Sequence, residues 1–381
     1  MRNAIVGIVI GVVVGIAIGT TVIAPRLTRE SAPRAERTIG PAPEAPARVV
    51  APLPPSKPQA DPLRLRMASA YASSLPQMGT LAKRVETEIW KVSGGTLEIR
   101  FHEPGALVPA AEMFGAVSAG AIEAAFSSPG FWADRIKALT LFSAVPFGPP
   151  PDEYLAWMYF GGGIETYDEI YERHNIKSLP CGIVAPEAAG WFRTEIVAVQ
   201  DLKGLRMRIG GLGARVLEKL GVTPVTLSAD RILRAFESGA IDAAEFSMPA
   251  VDQSLGFEHM ARYYYFPGWH QPATMFDLMI NLETWRALTS TQKAQIESVC
   301  GDNIRQGLAE GEALQFQALK ALGAKGVVVR RWAPAILKAL ESAWKTVVAE
   351  EIANDKEFAR LWQSLVRFRA DHAIWRELSS P

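Results

Sequence analysis

Two stretches of this chain, SAGAIEAAFSS at 118–128 and ESGAIDAAEFS at 237–247, match closely when laid over each other. Each closes the same order of predicted elements. In the first, Leu63, Leu65 and Met67 alternate with arginines and predict a strand. Leu81, Val85, Ile89 and Trp90 predict a helix over about 77–90, and Gly94-Gly95 breaks it. Leu97, Ile99 and Phe101 alternate as a second strand, a helix over about 110–118 stops at Gly120, and AIEAAFS is a third strand. In the second, Leu205, Met207 and Ile209 give a strand. A helix over about 214–220, the strand VTPVTLS, a helix over 230–238 stopped by Gly239, and the strand AIDAAEFS follow. A duplicated unit of this kind predicts an α/β fold of two similar lobes with a central cleft. Ligands in open α/β sheets sit beyond the carboxyl ends of the strands. That singles out Ser127 to Trp132 in the first lobe, and Arg208 to Gly211 and Glu245 to Met248 in the second.

The rest of the chain is organised around this core. YYYFPGW at 263–269 is expected to carry the chain back between lobes. From Glu283 onward the pattern is mostly helical: about 290–322, a short strand VVVRRW, then 334–353 and 356–378. The body therefore reads as 62–381, with a first lobe of about 62–185 plus part of 265–300. The second lobe is about 186–262 plus the C-terminal helices. Ahead of it, 26–61 is rich in Pro, Ala and Arg and reads as a semi-extended tether.

Residues 1–25 hold the unbroken apolar run Ala4–Ala24. As a helix it would be roughly 31 Å long, enough to cross a bilayer core. Its length, and Pro25 where a cut would fall, predict an uncleaved transmembrane anchor rather than a signal peptide. Gly7, Gly11, Gly15 and Gly19 lie four apart, on one face where two such helices could approach. Arg2 precedes the run, and Arg26, Arg29, Arg34 and Arg37 follow it. That charge bias favours a cytoplasmic body; the character of the body favours the opposite side, and the expectation follows the body.

Composition removes several classes of function. Lys+Arg and Asp+Glu are both 40, so the chain lacks the basic footprint of a nucleic-acid binder. Two cysteines, Cys181 and Cys300, are too few for a disulfide scaffold or a multi-cysteine zinc site. No HExxH or GxSxG motif is present, and His270 has no carboxylate or nucleophile at helpful spacing in the sequence. No enzyme is predicted. Arg208 ends an alternating strand and offers a planar fork suited to a carboxylate, although a surface arginine would fit the spacing equally. Glu245 leaves a buried strand and needs a partner there, either a cation or a salt bridge to a helix. Trp132, Trp191, Trp269 and Tyr263–Tyr265 could line a cleft or fill a core.

The segment DLKGLRMRIGGLGARVLEKLGVTPVTLSADRILRAFESGAIDAAEFSMP resembles the solute-binding proteins of TRAP (tripartite ATP-independent periplasmic) transporters, the DctP-type family. The likeness extends over about 62–380. SAVPFG at 143–148, YFGGG at 159–163, GWF at 190–192, YYYFPGW and FRADHAIW at 368–375 resemble the branch that binds 2-oxo acids or lactate together with a metal ion. The resemblance implies a two-lobed periplasmic binding protein of type II-like fold. It implies that Arg208 grips the ligand carboxylate, and that Glu245, the Phe246 carbonyl and Gln271 hold the metal. Glu187 falls where a further side chain enters the site, and Phe131 and Trp132 where a first-lobe loop adds aromatic contacts. A tyrosine is common in that loop, and none stands there in this chain. An all-oxygen shell favours calcium, with sodium the alternative.

The reading is a membrane-tethered periplasmic receptor that delivers a small monocarboxylate, such as pyruvate or lactate, to TRAP permease subunits. The alternative is a membrane-anchored sensing subunit for a small carboxylate. A homodimer is compatible with the resemblance. Exchange of a C-terminal helix between subunits is not expected, because the chain stops at Pro381, soon after FRADHAIW.

Overall fold

The computed structural model describes residues 61–379; the expected anchor and all but the last residue of the tether lie outside them. Among the described residues no helix is long and apolar enough to cross a membrane. The strands are β1 (Leu63–Ser69), β2 (Leu97–His102), β3 (Ala124–Ser127), β4 (Ile176–Val184), β5 (Gly190–Phe192), β6 (Arg206–Arg208), β7 (Thr223–Val225), β8 (Ala243–Ala244), β9 (Tyr263–Phe266), β10 (Thr274–Asn281) and β11 (Val328–Arg331). The helices are α1 (Gly79–Val92), α2 (Met113–Ser118), α3 (Pro151–Phe160), α4 (Gly163–Glu172), α5 (Gly211–Glu218), α6 (Ala229–Glu237), α7 (Pro249–Leu255), α8 (Leu282–Ala287), α9 (Ser290–Ala324), α10 (Pro334–Asn354) and α11 (Lys356–Ser379).

Two sheets form, in the orders β2-β1-β3-β10-β4 and β11-β9-β5-β8-β6-β7. The duplication is visible in their registers. In the first sheet β1 runs parallel to β2 and β3, with Met67 opposite Ala124 and Ala68 opposite Ala125. In the second, β6 runs parallel to β7 and β8, with Met207 opposite Ala243 and Arg208 opposite Ala244. The likeness reaches the side chains. The Arg66 backbone N–H and guanidinium both donate to Glu123, and those of Arg206 donate to Asp242 in the same pattern.

Each sheet also takes in an antiparallel strand from outside the repeated unit. β10 lies between β3 and β4, and β5 lies between β8 and β9. Every residue of β10 is buried, which leaves no alternation to reveal it. The expected strand at 240–247 pairs only over Ala243–Ala244, because both of its neighbours are three residues long. The expected strand VTPVTLS shrinks to Thr223–Val225, an edge strand whose central Pro224 has no N–H to donate.

Leu65, Leu81, Val85, Ile99 and Ile296 pack on one side of the first sheet, and Trp191, Phe236, Tyr264 and Leu322 on one side of the second. A third cluster joins Trp157 and Tyr167 to Met207, Trp344 and Leu361, so α10 and α11 are packed into a core that reaches both sheets. The long helix α9 starts in the first of these clusters and ends in the second. Cys181 on β4 and Cys300 on α9 are both buried and are bonded to each other across 119 residues. Two cysteines are indeed too few for a scaffold, but they make one internal cross-link. A loop of that length corresponds to about 4–5 kcal/mol in the chain-entropy picture.

Candidate functional site

The chain crosses between the sheets at 185–189, after β4, and at 267–273, after β9. The two crossings lie side by side. Gly268 donates its N–H to the Glu187 carbonyl at 3.0 Å, and Glu187 donates to the Gln271 carbonyl at 3.4 Å. Position 268 must be glycine: a Cβ there would lie 2.3 Å from the Glu187 carbonyl oxygen. A second close approach, between Gly213 at the start of α5 and His270, leaves 3.0 Å for a Cβ. These contacts bring Glu187, His270 and Gln271 together.

The second sheet brings the remaining groups. β6 and β8 are parallel neighbours, and Glu245 donates its N–H to the Arg208 carbonyl at 2.9 Å. Arg208 and Glu245 therefore leave adjacent strand ends together. The Arg208 guanidinium donates to the Glu245 carbonyl, to its carboxylate at 3.2 Å and to the Leu227 carbonyl at 3.2 Å. It also lies over the Phe246 ring, 5.2 Å from the centroid. In the first sheet the corresponding registers hold Ala68 and Phe126, both buried and apolar. The repeat thus separates the two arginines: Arg206 is the shared structural fork, as Arg66 is, whereas Arg208 and Glu245 are particular to the second lobe.

Glu187, Glu245 and His270 are all buried, and one ligating atom from each lies within 4.8 Å of the others. His270 Nε2 is 3.5 Å from Glu245 Oε1 and 3.9 Å from Glu187 Oε2. His270, set apart from any carboxylate in the sequence, stands between two of them in the fold. Glu187 Oε1 accepts a hydrogen bond from the Ser247 hydroxyl at 3.1 Å, while Oε2 and both ring nitrogens of His270 are buried without a partner. Burial, then the charges of Glu245 and Asp252, push the Glu187 carboxyl well above its ordinary range. Burial would also raise Glu245, but contact with His270, then the charge of Arg208, outweighs it and holds Glu245 low. The two neighbouring carboxyls thus titrate as a pair, with Glu187 pushed up and Glu245 held down. Asp252 lies behind them, pushed up to about 7 by burial.

The first lobe places Trp132 in the core against Phe114, at 5.5 Å between centroids, and leaves Phe131 48% exposed. No tyrosine stands in that loop, but Tyr71, after β1, meets Phe131 edge-on at 5.9 Å and Phe276 at 5.3 Å. Burial, then the charges of Asp277 and Glu187, hold its phenol well above the usual range, so it stays a neutral donor. Asp252 and Tyr71 were not identified from sequence; Ser247 was marked only as part of the strand exit 245–248, and His270 was set aside for want of a carboxylate at helpful spacing. Their roles arise from contacts between segments far apart in the chain, and no local spacing announces them.

The orphaned oxygen of Glu187 and the unpartnered imidazole, beside a second carboxylate, fit a cation. Glu187 and Glu245 bring carboxylate oxygens to this space, and His270 adds a nitrogen that the all-oxygen set expected from the sequence lacked.

Residues 67–355 match the bacterial extracellular solute-binding proteins, family 7. A monocarboxylate 2-oxoacid-binding periplasmic protein of Nostoc sp. is 32% identical over 319 residues, 83% of this chain and 87% of that one. A TRAP transporter solute-binding protein of Bordetella bronchiseptica, with calcium and picolinate in its active site, aligns at TM-score 0.80 and 33% identity over 83% of this chain and 94% of its own. One from Pseudoalteromonas atlantica, with bound sodium and pyruvate, aligns at TM-score 0.79 and 30% identity over 83% and 97%. One from Colwellia psychrerythraea, with bound calcium and pyruvate, aligns at TM-score 0.80 and 29% identity over 84% and 97%. With the family match spanning most of the body and the two-sheet architecture shared, this chain belongs to the bacterial extracellular solute-binding proteins, family 7.

Proposed function

We propose that this protein is the periplasmic receptor of a TRAP transporter. It captures a small 2-oxo or 2-hydroxy monocarboxylate together with a metal ion and delivers it to the membrane permease. One observation carries this reading: Arg208 and the buried carboxylates Glu187 and Glu245 converge on the paired crossings between the sheets. The pyruvate, picolinate, calcium and sodium held by its relatives support the choice of ligand and ion.

Arg208 is the carboxylate grip. Its guanidinium is held in place from the Leu227, Glu245 and Phe246 sides, so little freedom is lost when it meets a carboxylate. Tyr71 offers a neutral hydroxyl for the oxygen on C2 of the ligand, with Phe131 and Trp132 forming an aromatic wall beside it. Glu187, Glu245, the Phe246 carbonyl and Gln271 would hold the ion. When bound, the ion offsets the buried carboxylates and lets an anion share their site. Glu187 and Glu245 together match a divalent charge and leave Arg208 to match the acid, which favours calcium over sodium. Because Glu187 and Gln271 lie on the crossings, ligand capture and lobe closure would act on the same few residues.

Attachment to the inner membrane through residues 4–24 is a further part of the proposal, and it rests on the length of the apolar run alone. Sequencing the amino terminus of membrane-extracted protein checks it; a soluble form beginning near residue 25 overturns it. The central test is titration with pyruvate after exhaustive chelation, and again with calcium or sodium restored separately. Affinity should return with the ion. Full affinity in chelated, sodium-free protein overturns the metal-dependent reading.

A further inference from the structure

We infer that Ser247 and Asp252 are positioning residues that set the metal affinity of this receptor, by fixing one oxygen of Glu187 so that the other faces the site. The inference rests on the metal-dependent reading above. Its geometry is independent of which acid is bound.

Asp252 lies on α7 and is buried. Its Oδ2 accepts hydrogen bonds from Trp191 Nε1 and from the Tyr264 hydroxyl, both at 2.8 Å. Its Oδ1 accepts the Ser247 backbone N–H at 3.1 Å. Trp191 is on β5 and Tyr264 on β9, and their rings stack at 4.0 Å. One carboxylate therefore pins the turn after Glu245 to two strands of the second sheet.

Ser247 passes this constraint on. Its hydroxyl donates to Glu187 Oε1 at 3.1 Å, and its carbonyl accepts the Ala188 N–H at 3.3 Å. The turn that bears Glu245 and Phe246 is thereby tied to the crossing that bears Glu187. With Oε1 engaged, Oε2 is left without a partner on the side of His270 and Glu245. A carboxylate free to rotate about its last torsion would spread its oxygens over many directions and lose that ordering on binding. Groups that orient a metal ligand in this way typically change metal affinity by about 10–100-fold when removed.

The test uses full-length protein bearing Ser247→Ala, which deletes only the hydroxyl, and Asp252→Asn, whose single oxygen can face the Ser247 N–H or the Trp191 and Tyr264 donors but not both. Calcium affinity is measured by calorimetry, pyruvate affinity at saturating calcium, and thermal unfolding with chelator and with calcium. Ser247→Ala should weaken calcium about 10–100-fold. It should melt like wild type in chelator, lose part of the calcium-induced stabilisation, and bind pyruvate as wild type once calcium is saturating. Asp252→Asn should weaken calcium at least as much. Unchanged calcium affinity in Ser247→Ala, while the wild type is calcium-dependent, overturns the relay alone. Equal losses of pyruvate and calcium affinity with a lowered melting point in chelator also overturn it, as the mark of general loosening. A wild type indifferent to both calcium and sodium overturns the metal-dependent reading and the relay with it.

Discussion

The Arg208 guanidinium donates to both the main-chain carbonyl and the carboxylate of Glu245, the residue that leaves the neighbouring strand beside it. The two therefore form one charged unit at the ends of β6 and β8. Lysine at 208 would keep the charge and lose the fork. Disrupting a buried, hydrogen-bonded charge pair costs about 2–5 kcal/mol, or roughly 30-fold to a few thousand-fold in affinity. Calorimetry with pyruvate should show that loss for Arg208→Lys while circular dichroism shows the fold intact. Arg206→Lys is the matched control: its pair with Asp242 is 45% and 29% exposed, and its loss should leave affinity within a few-fold. Equal effects of the two variants would remove Arg208 from its assigned role.

The carboxylate of Glu187 should choose the ion. With Glu187→Gln the site keeps a single acidic side chain, Glu245, and its charge matches sodium better than calcium. Calcium affinity should fall at least about tenfold, and sodium should then support pyruvate binding as well as calcium does. Ion-by-ion titration of the variant checks this. An unchanged preference for calcium would place Glu187 outside the coordinating set.

Proton balance offers a separate handle. Burial raises the Glu187 carboxyl and a bound cation favours its ionised form, so calcium should bind more tightly as pH rises. Calorimetry in buffers of different ionisation enthalpy should register net proton release. Zero release would mean that Glu187 is already ionised in the free protein.

Asp252 gives a stability signature of known sign. Its folded pKa is raised from 3.8 to about 7, so the native state holds a proton that the unfolded chain has given up. This contribution is fully present below about pH 4 and is lost as pH rises through about 7. His102 and His174 are lowered by burial and act in the opposite sense near neutrality. The comparison is therefore between wild type and Asp252→Asn, both chelated, by denaturant unfolding at about pH 5 and about pH 8. The wild type should lose more stability over that interval than the variant. Parallel slopes would show that Asp252 is ionised throughout.

Tyr71 should read the C2 oxygen. Removing one neutral hydrogen bond costs about 0.5–1.5 kcal/mol, roughly twofold to tenfold in affinity. Tyr71→Phe should weaken pyruvate and lactate by that factor and leave propionate unchanged. A uniform loss across all three acids would make Tyr71 a packing residue.

The duplication was legible because both copies end on nearly the same string, and alternation gave β1, β2 and β6 almost to the residue. The strands β4 and β10 were not, since their residues are buried on both faces and lack a two-residue period. Arg208 and Glu245 were visible as a fork and a carboxylate at strand ends. What the sequence could not convey is that Glu187 and Glu245, 58 positions apart, share one buried space with His270 between them. Nor does it hint at Asp252, or at what Ser247 does within its strand exit, since both matter only for the atoms they hold in the fold. The cysteines are a similar case, harmless as a count and consequential as a pair.

That pair also bears on biogenesis. Cys181 reaches Cys300 only after both have emerged from the export channel, because 119 residues separate them. Once the fold has closed over it, both sulfurs are sealed from thiol reagents and redox enzymes. A chain that folds before oxidation would carry two inaccessible thiols, and one that folds after oxidation would carry the bond indefinitely. The thiol content of natively purified protein should therefore report the compartment in which it folded, and preparations from reducing and oxidising hosts should differ until the chain is unfolded.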